Sequence, residues 1–134
     1  MIPSTNNILS TTLTIKKQPS KNHKLYMEND TISGVCNDLE AMKQVIYKIL
    51  NTERYQCIMY SWNYGIELYD LFGEPTNYVI SELRRRITEA LVQDDRIDKV
   101  DGFEFNIIKK RTVNVKFTVH TIFGDIREEK AVDF

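Results

Sequence analysis

The chain has 134 residues, 42% of them hydrophobic and 28% charged, which is the length and mix of one compact domain and leaves no room for a second full one. Its 18 basic and 19 acidic residues leave a net charge of -1, so no global field draws it onto nucleic acid or an anionic membrane. The two cysteines, Cys36 and Cys57, have neither metal-ligand nor redox spacing and are expected as buried or semi-buried thiols of a chain made in a reducing compartment.

The N-terminal stretch MIPSTNNILSTTLTIKK lacks the basic start and apolar run of a secretion signal. No segment approaches the roughly 18 apolar residues of a membrane span, so a soluble protein without a signal peptide is expected. Residues 1–23 are rich in Ser, Thr, Asn and Lys and read as a flexible arm, with residues 24–134 as the folded domain. Within the arm Leu13 and Ile15 alternate with Thr12, Thr14 and Lys16, so a receiving surface could turn it into a strand.

Asn37 followed by Glu40 has capping-box spacing, and Leu39, Met42, Ile46, Ile49 and Leu50 then share one helical face, which predicts a helix over about 38–51. From Tyr55 to Phe72 the chain is aromatic-rich without a clean period, as expected for an extended segment, a turn near Asn63 to Gly65 and a short helical turn. Pro75 suits the start of a second helix running to about 92, with Ile80, Leu83, Ile87, Ala90 and Leu91 inward and Glu82, Arg85, Arg86 and Glu89 in water. The last forty residues change to period 2. Phe103, Phe105 and Ile107 alternate, as do Val113, Val115, Phe117 and Val119, with turns at Lys109 to Arg111 and at Gly124-Asp125 before a closing strand from Ile126 to about Val132. The class is α+β: two main helices packed on a small antiparallel sheet of about three to four strands.

Candidate chemistry is sparse. Glu53, Glu67, Asp70 and Glu74 could supply the facing carboxyl pair of a glycosidase, yet acidic residues are common enough for chance placement to explain them. No nucleophile elbow, phosphate-cradling loop or HExxH motif is present, and His23 and His120 lie in the arm and on the polar side of a strand. No cofactor or metal is expected. The basic runs Arg84 to Arg86 and Lys109 to Arg111 could grip phosphates, but Glu82 with Arg86 and Arg85 with Glu89 have the spacing of helical ion pairs, which makes a solvated face. Asp94 and Asp95 at a helix C-terminus oppose its dipole. Either they cap the following turn, or Arg96 and a partner's basic group neutralise them. The aromatic set Tyr55, Tyr60, Trp62, Tyr64 and Tyr69 fits an ordinary core or the centre of a protein interface equally well.

The order Ile32-x-Gly34, a helix carrying Ala41 and Gln44, ILNTERY, YSWNYGIEL, RRRITEAL and QDDRI resembles the baseplate wedge subunit family of contractile phage tails, in the branch of defective prophages and tail-derived bacteriocins of Gram-positive bacteria. The similarity runs from about Lys24 to Phe134. It implies a non-enzymatic structural subunit of the tail baseplate that joins wedge proteins around the hub and initiates the sheath, whose subunits would add extended arms to its sheet. The family's Glu-Pro-Arg-like assembly motif falls on Glu53 and Arg54, without the proline.

On that resemblance Glu53 and Arg54 are a polar clamp for neighbouring wedge proteins; read from the residues, Tyr60 to Leu68 is a packed aromatic turn holding it, and Tyr60, Trp62, Tyr64, Asp94, Asp95 and Arg96 are expected to join or support the contact. The implied partners are wedge proteins, hub or tube proteins and sheath subunits, not nucleic acid or membrane. The chain would be a monomer alone, with about six copies in the sixfold baseplate, made in the host cytoplasm and located in a phage or phage-tail-like particle. The alternative reading is a lysozyme-like peptidoglycan hydrolase.

Overall fold

The computed structural model describes Thr14 and residues 20–134. In chain order it contains β1 (Lys21–Tyr26), β2 (Thr31–Asn37), α1 (Asp38–Leu50), a single 3-10 turn (Tyr69–Leu71), α2 (Thr76–Val92), β3 (Ile97–Lys109), β4 (Thr112–Thr121) and β5 (Gly124–Asp133). Strands β3, β4 and β5 form an antiparallel meander with β4 at its centre. The pattern of β4 explains that position: Val113, Val115, Phe117 and Val119 are buried on one face, while Asn114, Lys116, Thr118 and His120 stand on the other. The buried face meets Met42, Ile46 and Ile49 of α1 and Val79, Leu83, Ile87 and Leu91 of α2 in one apolar core. On the outer face Glu104, Lys116 and Glu129 are register partners across the three strands, a charge-alternating row suited to water.

The expectation of one small sheet of three to four strands is corrected. Among the described residues five strands form two sheets, because β1 and β2 pair there with each other as a separate hairpin. The reason lies in α1. The Gln44 amide accepts from the Leu25 N–H at 2.8 Å and donates to the His23 carbonyl at 2.9 Å, so it occupies the outer edge of β1 as a neighbouring strand would. The arm reading is also narrowed, since Lys21 to His23 belong to β1; Leu13 and Ile15 lie outside the described residues.

Other details differ for local reasons. Asn37 stands at the N-cap without a side-chain cap bond, and Glu40 instead meets Lys24 Nζ at 2.6 Å. The Asp38 N–H donates to the Ser20 carbonyl at 2.8 Å. Strand β3 already starts at Ile97, and register irregularities around Ile97 to Lys99 and Asp101 to Glu104 hide its first part from a period-2 reading. Ile107 is exposed near the hairpin tip, beyond the reach of the helices. The last turn is Ile122-Phe123, ahead of Gly124; the Thr121 hydroxyl closes it by donating to the Gly124 carbonyl at 2.7 Å. Cys36 is buried, but Cys57 is exposed. No helix among the described residues is long and apolar enough to cross a membrane.

Replacing Gln44 by Leu removes both edge bonds and leaves the Leu25 N–H and His23 carbonyl to water. The expected loss is about 1–2 kcal/mol in urea unfolding, with faster amide exchange at Leu25 and unchanged exchange in β4. Equal loss of protection in β4 contradicts two separately held sheets.

Candidate functional site

Between α1 and the 3-10 turn the chain leaves the core, crosses the surface and returns to its starting point. The closure is a short parallel bridge between Glu53 and Ile66, in which the Ile66 N–H donates to the Thr52 carbonyl at 2.9 Å and the Arg54 N–H to the Ile66 carbonyl at 3.1 Å. Gly65 is required at the crossing: its φ is +98°, and a Cβ there would lie 2.6 Å from the Thr52 carbonyl oxygen. The enclosed loop, Tyr55 to Tyr64, makes internal turns in which the Tyr60 N–H donates to the Cys57 carbonyl and the Tyr64 N–H to the Ser61 carbonyl.

The two residues expected to form an outward clamp bond inward. Arg54 is only 7% exposed. Its Nε donates to the Gly65 carbonyl at 3.3 Å, and its Nη1 lies 3.0 Å from Glu89 of α2 and 3.5 Å from Glu67. The Glu53 carboxylate accepts the Leu68 N–H on both oxygens, at 2.9 and 3.0 Å, and the Tyr69 N–H at 3.1 Å, satisfying backbone donors at the start of the 3-10 turn. A second guanidinium completes the base. Arg86, expected in water, is buried; it makes a bidentate pair with Asp70, donates to the Glu67 carbonyl at 2.9 Å and meets Glu82 at 3.2 Å. The Arg86 guanidinium holds the Asp70 carboxyl below its ordinary range.

Of the turn expected to be packed, Tyr60 to Leu68, the second half is packed, with Gly65 and Ile66 buried and Tyr64, Glu67 and Leu68 half-buried, while Tyr60 to Asn63 and the residues just before them are open. Trp62 is 81% and Met59 82% exposed, Ile58 is fully exposed, and Tyr55 and Tyr60 are also open to solvent. The rings brace one another: Tyr60 stacks on Tyr64 at 4.4 Å, and Tyr55 tilts against Trp62 at 5.8 Å. Scattered surface hydrophobes are normal, but here several stand open together on one pinned loop. Leaving a side chain such as Ile58 or Met59 in water forgoes about 1.5–3 kcal/mol of burial.

Tyr64 is half-buried and borders a small cleft with Ile49, Ala90 and Asp94; burial pushes its hydroxyl pKa up, with smaller contributions from Tyr60 and Asp94. Asp94 takes the local capping role. Arg96 donates to it through Nε at 2.9 Å, Nη2 at 2.7 Å and the backbone N–H at 3.0 Å, which lowers the Asp94 pKa against the opposing effect of burial. Arg96 also reaches the Ser20 hydroxyl at 3.0 Å, and Asp95 is exposed. The structure thus gathers Tyr60, Trp62 and Tyr64 on one loop with Asp94 beside its foot, and places Glu53 and Arg54 beneath it.

Of the carboxylates considered for hydrolysis, Glu53, Glu67 and Asp70 are engaged as described and Glu74 is exposed. No group of three or more His, Cys, Asp or Glu among the described residues is arranged to hold a metal.

The family model of the contractile injection system sheath initiator matches residues 14–124. The chain belongs to that family. This sheath initiator is 39% identical over 121 residues to the phage-like element PBSX protein XkdS of Bacillus subtilis (strain 168), covering 86% of this chain and 84% of that protein. The resemblance to contractile-tail baseplate proteins is therefore correct at the level of family, and the role is a structural one in a contractile tail. The exposed tip lies inside the matched span, between residues that the sheath initiator uses to hold its own loop.

Replacing Arg54 by Ala removes the bonds that tie Gly65 to α2 and opens a void beneath the loop. A loss of about 2–4 kcal/mol is expected in urea unfolding, whereas Trp62→Ala should stay within about 0.5 kcal/mol. Equal losses contradict the division between a buried base and an exposed tip.

Proposed function

We propose that this sheath initiator joins wedge proteins around the tail hub and starts sheath polymerisation, with the loop from Tyr55 to Tyr64 as its wedge contact. The observation that carries this reading is the pinned apolar tip, in which Tyr55, Ile58, Met59, Tyr60 and Trp62 stand open on a loop whose base is tied by Arg54 and Glu53. Glu53 and Arg54 act as supports that set the geometry of the contact. Asp94 and Arg96 brace the foot of the loop beside Tyr64, and Asp95, exposed at the same corner, is available to a basic group of the neighbour. The chain is a monomer alone, is made in the bacterial cytoplasm and enters the particle in about six copies.

The sheath side falls to the outer edge of β5. Of the two edges of the three-stranded sheet, β3 carries three register irregularities, which discourage further pairing, whereas β5 runs in unbroken register with β4 from Gly124 to Asp133. Beside the last part of β5 a mixed groove is lined by Leu68, Tyr69, Phe72 and Val132 together with polar Asn51, Glu53 and Lys130, so an arm that paired with this edge would meet both apolar and polar side chains.

Trp62→Glu produced with the other tail proteins should give a folded chain with unchanged melting and no completed baseplates in electron micrographs. Normal contractile tails would sink the wedge assignment. Amide exchange on the purified chain with a sheath subunit should show new protection in β5; protection gained in β3 alone contradicts the edge assignment.

A further inference from the structure

On the outer face of the three-stranded sheet, His120 of β4 stands between carboxylates from both neighbouring strands. Its Nδ1 lies 2.7 Å from Asp125 Oδ1 of β5 and its Nε2 lies 2.8 Å from Asp101 Oδ1 of β3. A neutral imidazole carries one N–H, so one of these contacts would set a nitrogen lone pair against a carboxylate oxygen. Only the imidazolium donates to both. The position matters because the β3–β4 ladder is irregular on either side of it, between Ile97 and Lys99 and again between Asp101 and Glu104, where Gly102 takes φ +66°. Along this stretch the side-chain bridge supplements an interrupted backbone ladder, and on β5 it grips the first turn-proximal residues.

We propose that His120 is a proton-operated clamp that closes this end of the sheet, holding the bulged start of β3 and the start of β5 onto β4 while the ring is protonated and releasing them when it is neutral. The charged groups around the ring fit this role. From β3, Asp101 is also held by Lys99 Nζ at 3.1 Å. From β5, Arg127 follows Asp125 on the same face, opposite Thr118. From α2, Arg84, Arg85 and Glu89 border the groove that Asp101 lines, and Arg85 is paired to Glu82 and Glu89. The two carboxylates that touch the ring directly therefore dominate its surroundings.

The sign follows from linkage. Asp101 first and Asp125 second raise the His120 pKa, so the clamp's stabilisation is fully present below the ordinary histidine value and is lost as pH rises through the folded value. His120 and Lys99 lower the Asp101 pKa, so on the acid side the clamp persists until pH falls through that lowered value.

The chain has two histidines, so the His120 ring can be followed by NMR in the folded chain and in urea, alongside amide exchange of residues 97–101 and 124–127. The folded ring should titrate higher than the unfolded one, and each unit of difference should appear as about a tenfold rise in opening of those two segments once the ring is neutral. Exchange in the centre of β4 should not change, and His120→Gln should show the open-segment rates at every pH. A folded ring that titrates at or below its unfolded value overturns the proposal, as does exchange in the two segments that is indifferent to its titration.

Discussion

The buried guanidinium of Arg54 joins parts of the chain that are remote in sequence: the Gly65 carbonyl where the loop closes, Glu67 just beyond it, and Glu89 on α2. An apolar tip carrying Trp62 and Met59 has no apolar core of its own to hold it, and left free it would fold back onto the nearest hydrophobic surface. Pinning the two stems of the loop through charged, directional bonds keeps that tip outward. Glu53 works to the same end on the other stem, where its carboxylate fixes the Leu68 and Tyr69 amides.

Burying guanidinium groups is expensive unless their donors are satisfied, and the way this fold meets the requirement explains the composition of α2. Buried Arg86 has Glu82 on its own helix and Asp70 and the Glu67 carbonyl from the loop side, buried Arg54 reaches across to Glu89 of α2, and exposed Arg85 ties Glu82 and Glu89 together along the helix. Among the described residues no buried side-chain nitrogen or oxygen lacks a partner. The helix therefore serves two surfaces at once: Leu83, Ile87 and Leu91 complete the core, and the arginine and glutamate rows beside them carry the loop. Buried ion pairs are weak contributors to net stability, because desolvating the charges offsets much of their attraction, while their directional bonds fix which groups meet.

Much of the architecture was legible in local patterns. Period 3.6 marked both helices to within about two residues, with α1 observed at Asp38–Leu50 and α2 at Thr76–Val92, and period 2 marked β4 and β5. What local patterns missed depended on contacts far apart in the chain. The separation of β1 and β2 into their own sheet rests on Gln44, roughly twenty residues away. The burial of Arg86 rests on Asp70, and nothing near either residue announces the other. The same limit governs the site: the residue types of the loop were recognised, but the direction in which Arg54 points is decided by Glu89, 35 positions later. One signal could have been read. Ile58 and Met59 lie beside Cys57 in a run without a buried period, which is how an exposed tip differs from a strand or helix destined for the core.

The proposed entry of this sheath initiator into the baseplate is through the exposed tip held from below by Arg54. An electron-microscopy map of the assembled baseplate tests it most directly. Ile58, Met59 and Trp62 are expected to be buried against a neighbouring wedge protein, with Arg54 still bonded to Gly65 and Glu89 within its own chain. A map in which the tip faces solvent, or in which Arg54 leaves those partners to bind a neighbour, contradicts it.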